Sequence, residues 1–225
     1  MAYDRTIVVF SPDGRLLQVE YARQAVKRGN TAVGVVVKDA VVLGATKSST
    51  PLGVDTTYKK IFAIDEHIGV VSSGLLADAR DLVEMARIKG QINRITYGEP
   101  ISVPTITKYL ANQKHMVTQY AGVRPYGVGL LIGGVDESGA KLYETDPSGT
   151  MIEWKAQAIG KGADKAKKTL KSGFKEGMLA KDGANLVLKA LKAGEKDIGK
   201  ENIELAVITS DGIRMFSEKE AIKNL

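Results

Sequence analysis

The sequence predicts an α/β chain of the α+β kind, with two mainly antiparallel sheets packed together and helices on their outer sides. Three observations predict it. β-branched runs come in pairs joined by short turns, which is the signature of hairpins. Segments with apolar residues at three- and four-residue steps, the helical period, alternate with those pairs. Runs such as Val33–Val37 and Val128–Ile132 are almost continuously apolar, so their strands are covered on both faces. Two stacked sheets, each with helices outside, satisfy all three.

Taken in order, Thr6 to Phe10 is a short β-favouring run. Ser11-Pro12-Asp13-Gly14 has the chemistry of a tight turn. Leu16, Val19, Ala22 and Val26 then predict an amphipathic helix, with Lys27 and Arg28 suiting its C-terminal dipole and Gly29 a natural stop. Thr31–Val37 and Ala40–Thr46 read as a strand pair joined at Lys38-Asp39. Lys60–Ile64 and Ile68–Ser72 read as a second pair, turned at Asp65-Glu66. Helices follow over Leu75–Arg94 and Pro104–Tyr120; Gly90 inside the first costs about 1 kcal/mol relative to Ala. Tyr126–Val135, Lys141–Thr145, Met151–Lys155 and Gln157–Ile159 are the next strands, with turns at Asp136–Gly139 and Asp146-Pro147-Ser148-Gly149. Helices over Ala163–Lys175 and Asp182–Ala193 lead to a hairpin of Glu204–Thr209 and Ile213–Phe216, and Glu218–Leu225 closes as a short helix. No linker or repeat interrupts the pattern, so residues 1–225 form one domain, of which 1–29 lie ahead of the sandwich core.

Composition narrows the function. With no cysteine there is no disulfide scaffold, thiolate zinc site or Cys nucleophile. His67 and His115 are the only histidines, so neither a metal nor another cofactor is expected; His67 falls in a hairpin turn, where exposure is the default. The net charge is +6. Its densest stretch, Lys155–Lys175, carries seven lysines and one acid, Asp164, but no Arg. Lys165, Lys168, Lys171 and Lys175 sit near helical spacing, which predicts a solvated helix face and no nucleic-acid partner. No run approaches the ~20 apolar residues of a membrane helix, and the opening does not read as a signal peptide. The expectation is a soluble, cytoplasmic protein.

Catalytic motifs are weak. Gly160-Lys161-Gly162 follows a strand and opens a helix, but Lys165 stands where a dinucleotide fingerprint needs its third glycine, and the setting is antiparallel. Asp78 and Asp81, at helical spacing, read as surface charges. Neither histidine lies in a nucleophile turn, and His115 reads as a plain structural or surface residue.

Several longer motifs, in order, carry a resemblance. They are Tyr3-Asp4-Arg5, Phe10-Ser11-Pro12-Asp13-Gly14-Arg15, Gln18-Val19-Glu20-Tyr21-Ala22-Arg23, Ser73-Gly74-Leu75 with Ala77-Asp78-Ala79-Arg80, Gly122-Val123-Arg124-Pro125-Tyr126-Gly127, and Asp146-Pro147-Ser148-Gly149. Together they make the chain resemble the α-type subunits of archaeal 20S proteasomes. That resemblance implies the four-layer αββα sandwich of the Ntn-hydrolase, proteasome-subunit type. It also implies a seven-membered α ring capping double β rings as α7β7β7α7, whose pore admits unfolded polypeptide.

The catalytic β-type subunits of this family begin with a threonine that is both nucleophile and base. Matched to that pattern, Asn30 stands where the nucleophile would be, Thr31 points to the other face of its strand, and the second-strand acid falls near Thr46 or Lys47. The helix ahead of Asn30 also argues against processing there. The resemblance therefore implies no catalytic residue in this chain. The runner-up readings are a self-contained Thr-type hydrolase of the same fold and a basic nucleic-acid-binding domain. Residue by residue, Tyr3, Asp4, Pro12 and Tyr21 match the gate cluster around the pore. Lys60, Gly29, Gly74 and Leu75, with Glu20 and Arg23 nearby, match the intersubunit pocket that receives the C-terminal tails of ATPase activators. Lys59 stands where the family often has Glu, which makes the local field more positive. Only two residues precede Tyr3, fewer than is usual for such a gate, and this implies a permissive one.

Overall fold

The computed structural model describes residues 9–47, 52, 59–195 and 202–217. Helix α1 (Leu17–Arg28) leads into β1 (Ala32–Val36), β2 (Val41–Thr46), β3 (Ile61–Asp65) and β4 (Ile68–Gly74). Helices α2 (Leu76–Tyr97) and α3 (Val103–Val117) follow. Strands β5 (Val128–Asp136), β6 (Gly139–Thr145), β7 (Met151–Glu153) and β8 (Ala156–Ile159) come next. Helices α4 (Ala163–Gly173) and α5 (Ala180–Gly194) precede the closing hairpin, β9 (Ile203–Thr209) and β10 (Gly212–Ser217). The element order expected from the sequence is reproduced across the described residues. Val9 and Phe10 are not in a strand; the rest of the first β-favouring run and the expected helix 218–225 lie outside the described residues.

One sheet runs β10-β9-β2-β1-β8 and the other β3-β4-β5-β6-β7, and each recorded pairing is antiparallel. The period of two along each strand divides its apolar residues between two layers. Ala32 of β1 faces the other sheet, together with Leu43, Val71, Leu131 and Ala206. Val33 and Val35 face outward to Leu170 of α4 and Val187 and Leu191 of α5. On the far side Val70, Leu130 and Ile132 meet Leu82 of α2 and Ile106 and Leu110 of α3. The result is the four-layer αββα sandwich with three apolar interlayers. Each fully buried Val, Leu or Ile in them contributes about 1.5–3 kcal/mol. Gly90 is buried in α2, but a Cβ there would meet Ile101 only at an ordinary 3.7 Å, so nothing in the packing explains the glycine.

Two expectations are corrected. His67 is half-buried, and its Nε2 lies 2.8 Å from the Ile101 carbonyl, because the α2–α3 connection folds over the β3–β4 hairpin. Asp78 is not a surface charge. Its side chain is 6% exposed and takes both arms of Arg124 at 2.7 Å, plus the Gly127 amide at 2.8 Å. The Arg124 bonds outweigh burial and hold the Asp78 carboxyl below its ordinary value. Asp81, by contrast, is exposed as expected.

Candidate functional site

Of the described residues matched to the gate and pocket, Pro12, Glu20, Tyr21, Arg23 and Gly29 lie on α1 or next to its ends, and Gly74 and Leu75 pack near its C-terminus. The segment before it is a genuine turn: the Gly14 amide donates to the Ser11 carbonyl at 2.8 Å, and Gly14 has φ 75°. Ser11 Oγ donates to Asp13 and accepts from the Arg15 amide at 3.0 Å. The Ser11 bond holds the Asp13 carboxyl below its usual range. Pro12 and Tyr21 are both exposed, on the turn and on α1. Tyr3 and Asp4 lie outside the described residues.

α1 buries Val19 and Ala22 and is fastened at two places. On its side, Arg23 gives Nε and Nη2 to Asp146 Oδ2 at 2.9 and 2.7 Å, and Nη1 to Glu20 at 2.8 Å. The other oxygen of Asp146 accepts from the Ser148 and Thr150 amides, both at 3.0 Å. Burial pulls the Asp146 carboxyl upward, but the Ser148 and Arg23 bonds prevail and leave it depressed. The Asp-Pro-Ser-Gly turn is thus a mount for α1. The signal was present in an Asp that organises its own turn and keeps an oxygen to spare. Glu20 and Arg23 are committed to this mount, and neither bonds to Lys60.

At its C-terminus α1 meets the ends of β4 and β8. Ser73 Oγ lies 3.1 Å from the Val26 carbonyl and 2.9 Å from the Asn30 carbonyl, and the Lys161 amide donates to the Gly29 carbonyl at 2.8 Å. Gly29 has φ −65° and ψ 159°, so it does not end the helix through a left-handed turn. It is glycine because a Cβ there would sit 2.2 Å from the Gly74 amide nitrogen. Gly74 needs its own freedom, with φ 114° and a Cβ position 2.2 Å from the Gly127 carbonyl oxygen. Leu75 follows, exposed, with its side chain over Gly127. Gly29→Ala is expected to cost about 2–3 kcal/mol, since backbone and not a mobile side chain must give way. Calorimetry should then find Tm lowered by roughly 5–10 °C, and an unchanged Tm would refute the close approach.

Lys60 enters β3 beside the same strand end, where its carbonyl accepts from the Ser72 amide at 3.2 Å. It is 9% exposed. Its amide donates to Glu204 at 3.0 Å, while its ammonium makes no ion pair with any described residue. Burial draws its pKa down, against Glu204 and Glu195, which pull it up.

Glu195, which the sequence did not flag, is a hub at this end. One of its oxygens accepts from the Thr31 amide at 2.8 Å and from the Thr31 and Thr46 hydroxyls, both at 2.7 Å; the other pairs with Lys161 at 2.7 Å. Burial raises its pKa, but Lys161 and the two threonines hold it below normal. Thr31 is fully buried, its nitrogen is a chain amide, and its hydroxyl also accepts from the Gly162 amide at 3.0 Å. Both threonines are therefore engaged structurally. No group of three metal-binding side chains occurs among the described residues, and no described helix is long and apolar enough to cross a membrane.

Taken together, a double-sheet αββα sandwich whose first strand is preceded by a docked helix, with an amide-bearing Asn30 ahead of that strand, defines a non-catalytic member of the threonine-hydrolase class of folds. The comparisons agree. The family model "Proteasome subunit" matches residues 26–208, and the N-terminal signature of A-type proteasome subunits matches residues 3–25. The chain is 48% identical to a proteasome alpha subunit of Methanopyrus kandleri over 97% of this chain and 90% of that one. It is 51% identical to one of Methanobrevibacter smithii over 92% and 83%, and 47% identical to one of Methanocaldococcus jannaschii over 92% and 80%. The chain belongs to the proteasome subunit family and to its α type, the type without the catalytic threonine.

Proposed function

We propose that this subunit forms the outer, sevenfold ring of a 20S core particle, admits unfolded polypeptide through the pore of that ring, and receives activator tails beside α1. The single observation that carries the tail site is Lys60, a buried lysine whose ammonium lacks an ion pair among the described residues. A terminal carboxylate of a hydrophobic-Tyr-any residue tail is the chemistry it suits. Gly29, Gly74 and Leu75 lie at the same end of the sandwich, so a tail seated there touches the root of α1.

In this reading the tail favours the open gate, in which Tyr3, Asp4, Pro12 and Tyr21 of neighbouring copies contact one another. Glu20 and Arg23 hold α1 to Asp146 and so transmit the displacement rather than bind the tail. Partner β subunits template onto the ring to give α7β7β7α7, and the particle works in the cytoplasm without a cofactor. A closed ring of identical chains needs one heterologous interface whose rotation closes after seven copies. A native mass spectrum of the full chain, alone and with its β partner, tests this: masses in multiples of seven are expected, and any other closed number sinks the ring.

A further inference from the structure

The net charge of the whole chain sits on one layer. Between residues 161 and 192 nine lysines stand against Asp164, Glu176 and Asp182, a surplus of six, equal to the formal +6 of the full chain. α4 turns Ala166 and Leu170 to the core and leaves Lys165, Lys167, Lys168 and Lys171 exposed. Lys175 beyond it and Lys189 on the neighbouring α5 are exposed too. None of these six figures in an ion pair with a described residue; in this region Lys155 pairs with Glu176 and Lys161 with Glu195. Like charges three and four residues apart weaken a helix, and α4 carries such pairs as Lys165–Lys168 and Lys168–Lys171 against a single acid, Asp164.

We propose that the exposed α4–α5 face is a docking surface for an acidic helical segment of a partner protein. Lys165, Lys168 and Lys171 recur every three residues, about 4.5 Å apart along the axis. Carboxylates at three- and four-residue steps on a second helix recur about 4.5 and 6 Å apart, a spacing close enough for neighbouring lysines and carboxylates to pair. The face has none of the equipment of a nucleic-acid reader. It carries no Arg, and its one aromatic residue, Phe174, packs against the core beneath. Lysine is a point charge that pairs with a single carboxylate and needs no planar fork. The row also opens into a groove of about 500 Å³ between α1 and α4, where Lys27, Lys161 and Lys167 stand among Glu144, Asp146 and Asp164. This surface is separate from the tail site at Lys60 and does not depend on it.

The test uses fluorescence anisotropy on the full chain. The probe is a labelled Glu-Ala helical peptide of about 20 residues, with Glu at alternating three- and four-residue steps, titrated over a range of salt. The wild type is expected to bind with an affinity that falls steadily as salt rises. Reversing four charges (Lys165→Glu, Lys168→Glu, Lys171→Glu, Lys189→Glu) should weaken binding roughly tenfold or more. The same four positions as Gln, which keep helix-forming character if the reversed chain folds poorly, should give a smaller loss in the same direction. Lys60→Ala should bind the probe like the wild type. Equal binding by the wild type and the Gln variant would overturn the proposal. So would equal binding of a proline-broken peptide of the same charge, which removes the helical match, or of a single-stranded oligonucleotide of the same charge, which would make the face a general polyanion or nucleic-acid surface.

Discussion

Replacing Lys60 with alanine is expected to abolish stimulation of peptide passage by activator tails while ring assembly survives. The reason is the environment of the ammonium. It is 9% exposed and without an ion pair among the described residues, so a docking carboxylate would complete a desolvated charge pair. Truncating one member of such a pair costs about 2–5 kcal/mol of binding. A tail shifts a two-state gate only by binding the open form more tightly, and each tenfold shift needs about 1.4 kcal/mol of difference. The loss therefore exceeds what the gate can spare. Lys60→Met, which keeps the length but not the charge, should be as inert as Lys60→Ala, and Lys60→Arg should recover part of the response. Hydrolysis of a fluorogenic peptide by the assembled particle, with and without a tail peptide, reads all three. Because burial draws the Lys60 pKa below its ordinary 10.5, stimulation should also fade at a lower pH than for an exposed lysine. Stimulation that persists in the Met variant means the tail binds elsewhere.

Lys114→Met is expected to destabilise the chain by about 2–4 kcal/mol at neutral pH. Lys114 lies within α3 and is fully buried. Its ammonium donates to the Val128 and Thr145 carbonyls, both at 3.0 Å, and to the Thr145 hydroxyl at 2.9 Å. It ties α3 to β5 and β6, immediately before the Asp146 mount of α1. Burial drives its pKa down to about 7, opposed by Asp146 and Glu144. Between about pH 7 and the ordinary 10.5 the unfolded chain holds this proton and the folded chain has released it. Stability therefore rises with pH across that window, and the cost of burying the charge is fully present below it. Methionine has no proton to release. The stability difference between wild type and Lys114→Met should widen in favour of the wild type by up to ~4 kcal/mol from pH 7 to pH 10. Urea unfolding at several pH values measures it, and a difference that stays constant shows that Lys114 remains charged throughout.

The hairpins and helices were legible because their signals are local. The Val33–Val37 run, the helical spacing of Leu16 to Val26 and the Ser-Asp-Gly turn at residues 210–212 each carry their own period or turn chemistry. What escaped was set by distance along the chain. Glu195 meets Thr31 across 164 positions, and Lys114 meets Thr145 across 31. No local pattern tells such a Glu or Lys from a solvated one. Asp78 was misread for the same reason, since its partner Arg124 is 46 positions away. Gly29 was placed correctly but for another reason: the sequence suggests a helix stop, whereas the fold requires room for the Gly74 backbone. Around α1, the Asp146 turn carried a signal in its own motif, while the Glu195 hub carried none.

The strand order has a consequence for biosynthesis. β1 lies between β2 and β8, and β2 between β1 and β9, so the first sheet joins residues 32–36 to residues 156–159 and residues 41–46 to residues 203–208. Closing loops that long before any contact repays the entropy makes folding slow. A nascent chain emerging from the ribosome must hold its first strands unpaired on one edge until nearly the whole polypeptide has been made. During that interval those apolar edges are open to the wrong neighbour. A chain released before β8 and β9 are made leaves one edge of β1 and one edge of β2 without a partner.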